Sequence, residues 1–108
     1  MKRIPGARAV RERESDIQSA IRDYLRLMGW FVWHNLQSLG SYRGLADLTA
    51  VKDGTVLFIE VKTSRGRLTQ HQERFKDHLT RAGGHYIVVR SIDDVEEAIK
   101  QLGEADLA

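Results

Sequence analysis

The dipeptide Asp53-Gly54, set between two runs rich in β-branched and aromatic residues, constrains this chain more than any other feature. Asp-Gly readily adopts the positive φ angles of a two-residue type I′ turn, so apolar-alternating flanks on either side make it a strong hairpin signal. The pattern predicts strands over Leu45–Val51 and Thr55–Lys62. With Asp53 and Gly54 as the loop, Lys52 faces Thr55, Val51 faces Val56, and Asp47 falls opposite Glu60. Directly opposed side chains have Cβ atoms about 4.5–5.5 Å apart, and like charges placed there destabilise a sheet. A hard divalent cation held between the carboxylates removes that cost, and an all-oxygen ligand set favours Mg²⁺ or Mn²⁺. Period-2 alternation puts Lys62 on the face of Glu60, about 6.6 Å along the strand, and turns Leu57, Ile59 and Val61 toward a buried face. Acid and lysine in alternation also fit a solvated sheet face, and a three- or five-residue loop would shift the register.

The remaining elements frame this hairpin. From Glu14 to Met28 the apolar residues Ile17, Ala20, Ile21, Tyr24, Leu25 and Met28 recur at helical spacing, and Gly29 marks the stop. Glu14 shares the face of that stripe, which directs its carboxylate toward the sheet; as a first-turn acid it equally suits the helix macrodipole. Trp30–His34 reads as a short strand whose Trp30, Phe31 and Trp33 belong to the core, and residues 35–44 as a polar loop. After a loop at Ser64–Leu68, Thr69 opens a helix running to Ala82 and ending at Gly83-Gly84. Thr69 and Gln72 match a capping box, in which Gln72 reaches back to the N-cap amide. Its side-chain amide is alternatively free to act on a phosphate or an attacking water. His85–Arg90 is a strand and Ile92–Leu102 a last helix. The order α-β-β-β-α-β-α describes an α/β chain with a mixed sheet flanked by helices. Residues 1–13 form a basic, mobile arm, 14–102 the globular domain and 103–108 a tail.

Composition removes several function classes. The 108 residues suffice for one domain with one modest core. With 42% hydrophobic and 30% charged residues, the chain reads as globular and soluble. There is no Cys, hence no disulfide framework, cysteine nucleophile or thiolate zinc site. Short apolar runs and the lack of a signal-peptide pattern point to a cytoplasmic protein with no membrane partner. No Gly-rich phosphate loop, nucleophile elbow or metal-binding histidine pair is present, and His71 and His78 read as solvated. The net charge is only +2, yet it is uneven. Lys2, Arg3, Arg8, Arg11 and Arg13 crowd the N-terminus, Lys62, Arg65 and Arg67 lie mid-chain, and acids concentrate after Asp93. Such asymmetry suits a polyanion on one side of the molecule, or a basic tail in water.

Taken in order, Glu14-Ser-Asp-Ile17-Gln18, Ile21, Tyr24-Leu25, Gly44-Leu-Ala-Asp47, Glu60-Val-Lys-Thr63 and Leu68-Thr69-Gln70-His71-Gln72 resemble the virus-type replication-repair nuclease (VRR-NUC) branch of the PD-(D/E)XK nucleases. The resemblance spans residues 14–102. Ala46 and Gln70 stand where relatives often carry proline; neither change removes a functional side chain. The resemblance implies a restriction-endonuclease-like αβββαβ core and a phosphodiesterase using Mg²⁺ or Mn²⁺. Asp47, Glu60 and the Val61 carbonyl would hold the metal, with Glu14 acting directly or through water. Lys62 would orient the attacking water and stabilise phosphate charge, and Gln72 would assist. The implied substrate is branched DNA, such as a four-way junction, cut by a homodimer. Lys2, Arg3, Arg8, Arg11, Arg43, Arg65 and Arg67 would line the DNA track. A non-catalytic DNA-binding module, a restriction-type enzyme and a flap nuclease are the alternatives.

Overall fold

The computed structural model of the chain describes residues 13–107, with side chains through Gly103. Its elements are α1 (Glu14–Leu27), β1 (Phe31–His34), β2 (Leu48–Lys52), β3 (Thr55–Val61), α2 (Gln70–Arg81), β4 (His85–Val89) and α3 (Ile92–Leu107). The last helix therefore continues through the stretch expected to be a tail. Lys2, Arg3, Arg8 and Arg11 lie outside the described residues.

One four-stranded sheet runs in the order β1-β2-β3-β4. The β1–β2 and β2–β3 pairs are antiparallel and β3–β4 is parallel, so the sheet is mixed. The parallel pair requires a crossover, which α2 supplies. At the hairpin, Val51 pairs with Val56 and Lys52 with Thr55, the register expected from a two-residue loop. Asp53 and Gly54 have φ of 51° and 82°, as that turn requires.

Alternation divides the sheet into two unlike faces. Val32, Leu48, Ala50, Leu57, Ile59, Val61 and Val89 form the core with Ile17, Ile21 and Leu25 of α1 and Val95 of α3. On the other face Phe75 of α2 meets Phe58 and Tyr86 at ring-centroid distances of 5.8 and 6.0 Å. The expectation that Trp30, Phe31 and Trp33 are all core is corrected here. Trp30 packs against the core, whereas Phe31 is 69% and Trp33 39% exposed. β1 is an edge strand that commits Val32 to the core, which turns Phe31 and Trp33 to the face that α2 covers only over β3 and β4.

Strand β2 is shorter than expected. It begins at Leu48, so Asp47 sits just before the ladder, not within it. The reason is that residues 45–47 find other partners. Asn35 N–H donates to the Asp47 carbonyl at 2.8 Å, Asn35 Nδ2 to the Ala46 carbonyl at 3.0 Å, and Gln37 Nε2 to the Leu45 carbonyl at 2.9 Å. The polar loop after β1 thus takes over the backbone that a longer hairpin would have paired.

Candidate active site

Three elements and one pre-strand bend converge at one end of the sheet. Glu14 opens α1, Asp47 precedes β2, Glu60 lies in β3, and Gln72 stands in the first turn of α2. Carboxylate oxygens of Glu14, Asp47 and Glu60 all lie within 4.8 Å of one another. The sequence-derived candidates Glu14, Asp47, Glu60, Lys62 and Gln72 are therefore neighbours in space. Asp47 reaches β3 by its side chain: Val61 N–H donates to Asp47 Oδ2 at 2.8 Å. Val61 thus contacts this cluster through its amide, while its carbonyl role rests on the family resemblance alone.

Gln72 fills the capping role and turns the other end of its amide to Glu60. Thr69 and Gln72 form a complete capping box, in which Gln72 Oε1 accepts from Thr69 N–H at 2.9 Å. The opposite end of the same amide, Nε2, donates to Glu60 Oε2 at 2.9 Å. Lys62 Nζ approaches that same oxygen at 3.3 Å. Glu60 is fully buried, and its other oxygen, Oε1, has no hydrogen-bond partner among the described residues.

A buried carboxylate without donors is costly unless a cation or proton compensates it. The electrostatics show the strain. Burial, reinforced by the charge of Asp47 and opposed by Lys62, pushes the Glu60 carboxyl up to about 7. Burial also raises Asp47, against the lowering effect of its bond from Val61. Three hard oxygen donors, one of them buried and unpartnered, fit a divalent cation such as Mg²⁺ or Mn²⁺.

Residues invisible to the sequence reading support this cluster. Gln37 Nε2 contacts Asp47 Oδ1 at 3.2 Å, pinning the oxygen that Val61 leaves free. Arg90 Nη1 donates to the carbonyls of Thr63 and Gly66, clamping the loop just beyond Lys62. Burial, with the charges of Glu60, Asp47 and Glu73 acting in the same direction, raises the Tyr86 phenol. Gln37 stands ten residues before Asp47 in a loop and Arg90 follows β4, so no periodicity or motif spacing connects them to the cluster.

Basic residues flank the cluster on two sides. Arg65, Arg67 and Arg90, with Glu73 and Val88, line a groove of about 980 Å³. Arg43 lies instead with Tyr42, His71 and Arg74 around a cavity of about 630 Å³. Arg43 and the pair Arg65 and Arg67 therefore line different recesses.

The sequence model of the VRR-NUC domain matches residues 8–93. This chain belongs to the VRR-NUC domain family. A solved "VRR_NUC domain" structure is 26% identical, with a TM-score of 0.70 over 81% of this chain and 94% of that one. A second, a "VRR_NUC domain protein", is 21% identical and shares the fold, with a TM-score of 0.70 over 85% of this chain and 88% of that one. No curated protein matches the chain. A VRR-NUC domain is a nuclease-fold, DNA-processing domain, so DNA is its substrate class, and such nuclease domains typically use divalent metals. Among the described residues, no helix is long and apolar enough to cross a membrane.

Proposed function

We propose that this VRR-NUC chain is a divalent-metal-dependent, structure-selective endodeoxyribonuclease that hydrolyses phosphodiester bonds in branched DNA such as four-way junctions. The observation that carries the reading is the buried, unpartnered Glu60 Oε1 within the Glu14–Asp47–Glu60 cluster, with Lys62 beside it. A binding module would gain nothing from so repulsive an arrangement.

Asp47, Glu60 and the Val61 carbonyl would hold Mg²⁺ or Mn²⁺, with Glu14 joining directly or through water. The metal would supply Lewis acidity, activating water and neutralising charge on the phosphate. Lys62 acts as a point positive charge beside the reacting phosphate and orients the attacking water. Gln72 fixes the Glu60 carboxylate through Oε2, and Oε1 would be free to hold the cation. Gln37 and Val61 N–H hold Asp47 in place. Arg65 and Arg67, with Arg43 on the opposite flank and Lys2, Arg3, Arg8 and Arg11 in the N-terminal segment, contact the phosphate backbone.

One such centre cuts one strand, whereas resolving a junction needs two symmetric cuts. A two-fold homodimer supplies both. The exposed Phe31–Trp33 pair, with centroids 5.1 Å apart on edge strand β1, is an apolar surface compatible with such pairing.

The test is cleavage of matched linear, flap and four-way-junction DNAs in Mg²⁺, Mn²⁺ or EDTA. Cuts in junctions that require the metal are expected. Cleavage that persists in EDTA, or no cleavage of any DNA with either metal, would overturn the reading.

A further inference from the structure

Among the described residues, two basic recesses lie beside the carboxylate cluster, and they differ in that one is lined by a tyrosine. The groove of Arg65, Arg67 and Arg90 also contains Glu73, with Leu68 and Val88 as its apolar walls. The cavity on the other flank holds Tyr42, Arg43, His71 and Arg74, with no acid among its lining residues. Among the described residues, neither Arg43 nor Arg74 has a carboxylate within ion-pair distance.

This cavity is locked to the candidate centre by Gly44. Gly44 has φ of +81°, and a Cβ there would stand 2.1 Å from the His71 carbonyl oxygen. The loop backbone is therefore pressed against the first turn of α2. That contact sets Arg43 against the turn that carries His71 and Gln72, and Gln72 in turn holds Glu60. Tyr42 is 60% exposed, yet its ring rests on Phe75 at a centroid distance of 5.6 Å. Phe75 is itself backed by Phe58 and Tyr86. Tyr42 is thus an open platform on a firm support, with cations around it.

We infer that the Tyr42–Arg43–His71–Arg74 cavity is the subsite for an unpaired nucleotide next to the cut, its phosphate on the cations and its base on Tyr42. The inference rests on the nuclease reading above and assigns a basis for selectivity toward branched DNA that carries unpaired nucleotides, such as a flap. Bases inside a duplex are already stacked on both faces. A splayed base at a flap or branch has a free π-face, and aromatic platforms with neighbouring arginines take such bases with little regard to sequence. The acid-containing, aromatic-free groove on the other flank suits duplex phosphates alone.

The experiment measures binding by the full chain in EDTA, using fluorescent flap DNA and a blunt duplex of equal length. Tyr42→Ala is expected to weaken flap binding about tenfold and leave duplex binding unchanged, the scale of one lost base–aromatic stack. Tyr42→Phe should bind both DNAs as the native chain does. Tyr42→Leu keeps the apolar contact with Phe75 and should behave like Tyr42→Ala, which separates stacking from loop packing. Equal losses on flap and duplex for Tyr42→Leu, or native flap binding by it, would overturn the subsite. Because no metal or cleavage is read, an inactive chain leaves this result interpretable, and an active chain with unselective variants defeats the subsite alone.

Discussion

Along β3 the side chains of Leu57, Ile59 and Val61 enter one face of the sheet, while Phe58 and Glu60 enter the other. Ile59 and Glu60 are adjacent in the chain and equally buried. Ile59 gains from leaving water, as part of a core built with α1 and α3. Glu60 loses by leaving water and is compensated only in part, by Gln72 and Lys62 on one of its oxygens. One strand therefore carries both the stability of the fold and a site held at the expense of that stability. Substitutions on the two faces should have opposite signatures.

The largest expected effect is at the carboxylates. Asp47→Asn or Glu60→Gln should abolish the heat of Mn²⁺ binding in calorimetry and take cleavage below detection. For Asp47→Asn the amide oxygen can still accept from Val61 N–H and one repulsive charge disappears, at the cost of the exposed bond from Gln37. Its unfolding temperature in EDTA should hold or rise. A native Mn²⁺ affinity in both variants would remove these residues from the metal site. On the core face, Ile59→Ala should cost about 2–5 kcal/mol in urea unfolding, with Mn²⁺ affinity unchanged in the folded fraction. A shift in that affinity would show that the faces are not independent.

Lys62→Met is the intermediate case. It should keep metal and DNA binding but slow turnover about 10²-fold, the effect of losing one transition-state donor. Losing the cation beside Glu60 should also lower the unfolding temperature in EDTA, the reverse of Asp47→Asn. The smallest effect concerns acidity. Glu60 titrates near 4.5 when unfolded and about 7 in the fold, so the folded state binds more protons between those values. The stability contributed by this group in the metal-free protein is fully present below the lower value and is lost as pH rises through about 7. Saturating Mn²⁺ should flatten that slope, as thermal scans across the range would show.

The comparison also explains how much was legible beforehand. The core face follows from alternation and from the Asp53-Gly54 turn, both local properties, which set its register as far as Leu48↔Ile59. The Thr69–Gln72 capping box is local too. The other face is assembled by contacts between distant segments. That Asp47 leaves the ladder depends on Asn35 and Gln37 binding the backbone of residues 45–47, which no periodicity encodes. The capping role of Gln72 is local, but the bond from its Nε2 to Glu60 depends on α2 docking beside β3 and has no local signal. Exposure of Phe31 and Trp33 follows from β1 lying at the sheet edge, a matter of strand order.

The crossover through α2 has a consequence for the order of events during synthesis. The hairpin of β2 and β3 brings residues 47 and 60 together early, since the closing loop is short. Gln72 arrives only with α2, and β3 gains its parallel partner only when residues 85–89 have emerged. Until then Glu60 lacks both its amide support and the strand that shields it. A nascent VRR-NUC chain would thus hold an unfinished carboxylate cluster while near the ribosome and its nucleic acid, and would complete it only after the last strand docks. Parallel pairing across a helix is intrinsically slow, and in this chain order it would act as a delay.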